Sequence, residues 1–196
     1  MSYPTVYTFE RVSPIHLVGN MGQSVQISIH SPSQYICTNR EQIFPDWKNP
    51  LSLWIAIVLQ EARFELLETT PEIEAEKERL REKFMRFGCD VAFNLRDRNY
   101  QTDLVDPRTG YPLLSRPGKK NHDDTATVKA LLHYAIVQNR CRVLVHPEWG
   151  TAVYPGILIS EAPPSVLEWI IKSIAPLHDW KPKEINNAKT FFFLDS

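Results

Sequence analysis

The chain has 196 residues, enough for one domain with a proper hydrophobic core and too few for two full ones. Hydrophobic residues make up 43% of it and aromatic residues 11%, which excludes wholesale disorder. Lys and Arg total 22 against 23 for Asp and Glu, and a net charge of -1 gives no long-range attraction for nucleic acid or an acidic membrane.

Residues 6–12 and 24–30 read as strands, the second with Val25, Ile27 and Ile29 on one face, and residues 19–22 between them as a turn. A polar, Pro-interrupted connection follows over 31–50. Residues 51–60 are β-branched, aromatic and too continuously apolar for a surface strand, which predicts a central strand covered on both faces. Their apolar run is about half the ~20 residues of a membrane-spanning helix, so no membrane span is expected.

Thr70 followed by Pro71 supplies a hydroxyl cap and a proline at the first helical position, and predicts a helix to about Arg98. Ile73, Leu80, Phe84, Phe87, Val91 and Leu95 recur at helical spacing, while Glu74, Lys77, Glu78, Arg81 and Glu82 are spaced for ion pairs on a solvated face. Residues 102–105 read as a strand, Asp106-Pro107-Arg108-Thr109-Gly110 as a tight turn, and 111–114 as the return of a hairpin. The polar residues 115–124 read as an exposed loop, and 125–137 as helix followed by strand.

The feature marked most strongly is residues 139–159, carrying Cys141 and Trp149-Gly150-Thr151. It reads as a buried β-hairpin at the centre of the domain, with one strand over 140–146, a turn over 147–150 and a return over 151–159. Pro163-Pro164 then opens a helix over 165–174, and an aromatic stretch, 190–194, lies near the end. The expected architecture is a single α+β domain over 1–175, a mostly antiparallel sheet packed with one long and one or two shorter helices. Residues 176–196 form a tail that docks on the domain or on a partner.

Cys37, Cys89 and Cys141 are odd in number and far apart, without a CxxC pair, and residues 1–7 lack the basic start and apolar core of a secretory signal. A reducing, cytoplasmic setting is therefore expected. No phosphate loop, dinucleotide fingerprint, nucleophile elbow or zincin motif occurs, so the residues offer no self-sufficient catalytic set. The six histidines never pair at one-turn spacing and make no zinc set with the isolated cysteines. His122-Asp123-Asp124 has the donors for a hard cation, but a solvated polar turn explains it better. Arg116, Lys119 and Lys120 likewise read as loop solubility.

Cys141 has two readings. Arg140 and Arg142 flank it and His146 lies on the same strand, a setting that favours the thiolate, a good ligand for soft metals. Strand alternation instead puts Cys141 on one face with Val143 and Val145, as a buried inert cysteine, with Arg140 and Arg142 opposite. Trp149 reads as a packed aromatic at the turn and Gly150 as the residue that supplies its backbone freedom.

Arg81 to Phe84, the run from Asp103 to Gly110, Cys141 to His146, Trp149-Gly150-Thr151 and the Pro163-Pro164 helix stand in an ordered series of blocks. In that order and at about that spacing the chain resembles the methylmalonic aciduria and homocystinuria type D proteins, over roughly residues 50 to 175. The resemblance implies a modified nitroreductase-like fold that has lost flavin binding, and a non-catalytic adaptor role in the trafficking of cobalamin or a related tetrapyrrole, exercised through a partner, the type C cobalamin-processing protein or another cofactor-handling protein. It implies no tightly bound cofactor, with cobalamin met in the partner complex. Two adjacent cysteines precede the basic residue in the family pattern, the first contacting the cobalt of partner-bound cobalamin. Here the pair is Arg140-Cys141, and an arginine cannot act as a thiolate. Arg142, His146, Trp149, Gly150 and Thr151 are the expected partner contacts. The alternatives from other classes are a flavin-dependent oxidoreductase of the parent fold, and an assembly subunit, such as a homo-oligomer, whose tail Phe191-Phe192-Phe193 pairs with another chain.

Overall fold

A computed structural model describes residues 13–47, 53–138 and 142–183. At its centre is β3, Trp54–Glu61, with Ile55, Ile57 and Leu59 buried on one face and Ala56 and Val58 on the other. Both faces are covered, as the continuous apolar run requires. On one side β3 pairs with β2, Ser24–His30, which pairs in turn with β1, Ile15–Gly19. On the other it pairs with β7, Val153–Ser160, which pairs with β4, Thr102–Val105. A last strand, β8, Trp180–Pro182, adds to β1, giving the order β4-β7-β3-β2-β1-β8. Every neighbouring pair is antiparallel.

Four helices flank the sheet, and none is long and apolar enough to cross a membrane among the described residues. The long helix α2, Pro71–Arg96, is capped by Thr70, whose hydroxyl accepts the Ile73 amide at 3.3 Å. With α4, Pro164–Ile174, it buries Phe84, Phe87, Val91, Leu95, Leu167 and Ile171 against the Val58 and Leu158 face. The fit depends on small residues. A β-carbon on Gly156 would stand 2.5 Å from the Phe84 ring, and one on Gly88 would stand 2.8 Å from Leu104 Cδ1. The opposite face packs under α1, Gln34–Ile43, and α3, Asp124–Leu132, which contribute Ile36, Ile43 and Val128. A two-stranded ribbon of β5, Ala135–Gln138, and β6, Arg142–Val145, completes that layer.

Several expectations need correction. Residues 139–159 do not form one hairpin: β6 pairs with β5, from Gln138 opposite Arg142 to Ala135 opposite Val145, while β7 leaves for the sheet. The cause is apolarity on both faces of β7, where Ile157, Leu158 and Ile159 are all fully buried, so that only a place between β3 and β4 satisfies it. The expected loop over 31–50 contains α1, capped by Ser33, because two inward residues, Ile36 and Ile43, suffice to anchor a helix whose other positions are polar. The segment 115–124 is not wholly exposed, since His122 is buried. The strand expected over 6–12 and the aromatic stretch 190–194 lie outside the described residues.

Candidate functional site

The turn that follows β6 is built on His146, which is buried on the inner side of the ribbon. Its backbone closes the turn, the His146 amide donating to the Gly150 carbonyl at 2.7 Å and the Gly150 amide to the His146 carbonyl at 3.0 Å. Gly150 has a φ of 55°, the left-handed region that favours glycine. The ring does as much. Nδ1 accepts the amides of Glu148 at 3.1 Å and Trp149 at 3.2 Å, so the ring proton resides on Nε2, which donates to Gln26 Oε1 on β2 at 3.2 Å. Gln26 Nε2 donates in turn to the Tyr134 hydroxyl, and the Tyr134 ring meets the imidazole edge-on. Burial lowers the pKa of His146, against the upward pull of Glu148 and Glu61, and favours this neutral form.

Of the expected partner contacts, then, His146 is internal. Trp149, Gly150 and Thr151 are half-buried and Arg142 is exposed. The Thr151 carbonyl accepts the Leu66 amide and the Ala152 carbonyl accepts the Ala62 amide, which ties the turn to the chain leaving β3. Arg140 and Cys141 lie outside the described residues, between Gln138 and Arg142, which face one another across the ribbon. Arg142 pairs with the carboxylate of Asp123, the residue that caps α3 by accepting the Ala126 amide.

Arg142 also belongs to a cleft of about 620 Å³ between the ribbon, the start of α3 and the 106–110 turn. That turn is organised by Asp106, whose carboxylate takes both Nε and a terminal nitrogen of Arg81, at 2.7 and 3.0 Å, together with the Arg108 amide and the Thr109 hydroxyl. The Arg81 guanidinium holds the Asp106 carboxyl below its ordinary range. Gly110, at a φ of 73°, carries the chain round, and its carbonyl accepts the His122 amide at 2.7 Å.

His122 forms the back wall with Asp124. Asp124 Oδ1 lies 2.8 Å from His122 Nδ1, and His122 Nε2 lies 2.9 Å from the Thr127 hydroxyl. The Asp124 side chain is 9% exposed, and its other oxygen, Oδ2, is buried without a hydrogen-bond partner. An acceptor left in that state costs about 1–3 kcal/mol. Burial pushes the Asp124 carboxyl up, and the facing His122 only partly offsets this. Tyr154 shares the wall, and its phenol is pushed up by burial and by Asp124. The solvated turn expected for His122-Asp123-Asp124 is instead a helix start, with Asp123 as the cap and His122 buried beneath it.

The family model for methylmalonic aciduria and homocystinuria type D protein matches residues 10–172. The chain belongs to that family. Human cobalamin trafficking protein CblD is 26% identical over 141 residues, covering 71% of this chain and 47% of the human protein. The rat protein of the same name is 26% identical over 139 residues, with 70% and 47% covered, and the chicken one 23% over 143 residues, with 71% and 47%. The chain spans about half the length of these curated relatives. The family match takes in the His146 turn, the ribbon and the cleft, and begins at residue 10, well before the residues 50 to 175 over which the ordered blocks resemble the family.

In this type D family member the Asp124-His122-Thr127 series has the order of a catalytic relay without its accessibility. Thr127 is 5% exposed and is not part of the cleft wall, so it presents no nucleophile to a molecule there. Among the described residues no three His, Cys, Asp or Glu side chains are placed to hold a metal ion.

Proposed function

We propose that this chain acts in cobalamin trafficking as a non-catalytic adaptor, meeting a partner that holds the cofactor. The observation that carries the reading is the type D family match over residues 10–172, which includes the ribbon connection where Arg140 and Cys141 stand. The partner is a type C-like cobalamin-processing protein. The contact surface is the ribbon end with Arg142, together with Trp149, Gly150 and Thr151. His146 supports that surface from beneath. The mostly antiparallel sheet with helices on both faces is compatible with a nitroreductase-like fold adapted to binding rather than to flavin chemistry, and the protein works in the cytoplasm.

Arg140 occupies the position that the family gives to a cobalt-contacting cysteine. Cobalt ligation through that residue is therefore not part of the proposed mechanism, and the adaptor acts through protein contacts. The test mixes the purified chain with cobalamin, with and without a type C-like partner, and follows the corrin absorption spectrum and the mass of any complex. A complex that forms with the partner supports the adaptor. Unchanged spectra and no complex in both mixtures overturn it.

A further inference from the structure

We propose that residues 190–194 add to the free edge of β5 as the third strand of the ribbon, with aromatic side chains laid over the groove beside α3. The edge is the first observation. β5 pairs with β6 alone, and the backbones of Ala135, Ile136 and Val137 make no other hydrogen bond among the described residues. Val137 is 41% exposed, and no proline or charged side chain interrupts the three positions to discourage pairing. The two ends of the main sheet are managed differently. On β4 the Leu104 carbonyl already accepts the Leu113 amide at 2.9 Å, while β8 carries Lys181 and Pro182, the second of which has no amide to donate.

The groove is the second observation. It measures about 540 Å³ between α3 and the ribbon, and Ala126, Ala130 and Ile136 give it an apolar floor. Two alanines where a helix faces a ribbon leave room that no described side chain fills. Lys129 stands on the rim and makes no ion pair among the described residues.

The course of the chain selects the occupant. The Lys183 amide donates to the His16 carbonyl at 3.0 Å, His16 lies opposite Gln26, and Gln26 Nε2 donates to the Tyr134 hydroxyl, one residue before β5. The described residues therefore end about two strand spacings, ~10 Å, from the side chain that reaches the ribbon. Seven residues lead from Lys183 to Thr190, an extended reach of roughly 23 Å. Thr190-Phe191-Phe192-Phe193-Leu194 is β-prone and uncharged, and Asp195 follows it as an acid to set against Lys129. A tether of that length gives the segment an effective concentration on the order of millimolar, which neither a second copy nor a partner has. The inference is independent of the cobalamin reading and requires only this chain.

The experiment is solution NMR on the full chain, uniformly labelled with carbon-13 and nitrogen-15. Cross-strand proton contacts are expected between Ala135, Ile136 or Val137 and residues 190–194, and a mixture of labelled and unlabelled chains should show none between copies. Hydrogen exchange supplies a second measurement. In a middle strand every amide is paired, so a chain stopped after Lys189 should lose protection by at least about tenfold at whichever amides of residues 135–137 point away from β6. Four results overturn the proposal: no contact between the two segments, contacts of 190–194 with β8 instead, contacts only between copies, or residues 6–12 on the β5 edge. The contact measurement uses the unaltered protein and stands whether or not the shortened chain folds.

Discussion

His146 lies flat against Trp149, the ring centroids 3.8 Å apart and the planes 13° from parallel, while its Nδ1 accepts the Trp149 amide at 3.2 Å. One side chain thus fixes both the backbone of the turn and the indole on its surface. Protonating Nδ1 abolishes the acceptor for two amides at once. Because burial lowers the pKa of His146, the unfolded chain takes up the proton first as the pH falls. The stability that depends on neutral His146 is therefore complete above about pH 6.5, the ordinary value, and declines below it. His146→Phe keeps an aromatic ring on Trp149 but removes the acceptor, and is expected to cost about 2–3 kcal/mol and to flatten this part of the pH profile. Urea unfolding of both proteins at about pH 8 and about pH 5.5 checks it. An unchanged pH profile in the variant refutes it.

Glu76 is fully buried on α2 and takes Nε and a terminal nitrogen from each of two guanidinium groups, Arg63 after β3 and Arg79 one turn along the helix, at 2.7 to 2.9 Å. Burial alone would raise its pKa, but the hydrogen bonds from Arg79, Arg63 and the Arg63 amide outweigh it and bring the carboxyl to about 2. A depressed carboxylate stabilises the fold above its ordinary value of 4.5, and that stability is lost as the pH falls from there toward about 2. Glu76→Gln should cost about 2 kcal/mol at neutral pH, less than a sealed ion pair because both arginines reach solvent. It should also reduce the acid sensitivity of the unfolding midpoint, measured between about pH 6 and about pH 3.

Parts of this arrangement were legible in the sequence because they are local. Thr70-Pro71 places the start of α2, the unbroken apolar run places β3 at the centre, and Glu74 with Lys77 and Glu78 with Arg81 pair at the helical spacing that suggests them. The sites are built from distant residues and were not legible. His146 meets Gln26 across 120 positions, and Arg81 meets Asp106 across 25. Glu76 was indistinguishable from its solvated neighbours until Arg63 came in from the chain after β3. The apparent hairpin over 139–159 failed for a related reason. Adjacency in sequence suggests that β6 and β7 pair, but four residues with the neighbouring β5 at hand make a ribbon, and a strand apolar on both faces goes to the sheet.

Gly156 lies on β7 beneath Phe84, with room for no β-carbon there. Gly156→Ala is expected to destabilise the protein by about 1–3 kcal/mol, because Phe84 must leave its packed position between α2 and the sheet. Phe84→Leu combined with Gly156→Ala should cost less than the sum of the two single changes, since the smaller side chain relieves the clash. Denaturant midpoints of the four proteins give the coupling. Strict additivity would show that Gly156 matters for some other reason.

If the register of the ordered blocks is right, Arg140 stands where the family has its cobalt-contacting cysteine, and Cys141 is the second of the pair. Arg140→Cys restores the thiol and removes a positive charge, leaving Arg142 as the flanking base to favour the thiolate. With a cobalamin-bearing type C-like partner, this variant should give a thiolate-dependent change in the corrin spectrum that the parent chain does not. Cys141→Ser in the parent chain should leave the spectrum of the mixture unaltered, because Cys141 is not the contacting position. The double variant, Arg140→Cys with Cys141→Ser, separates the two thiols and should retain the new signal. A spectral change lost with Cys141 alone would move the match to the family pattern by one residue and make Cys141 the contacting position.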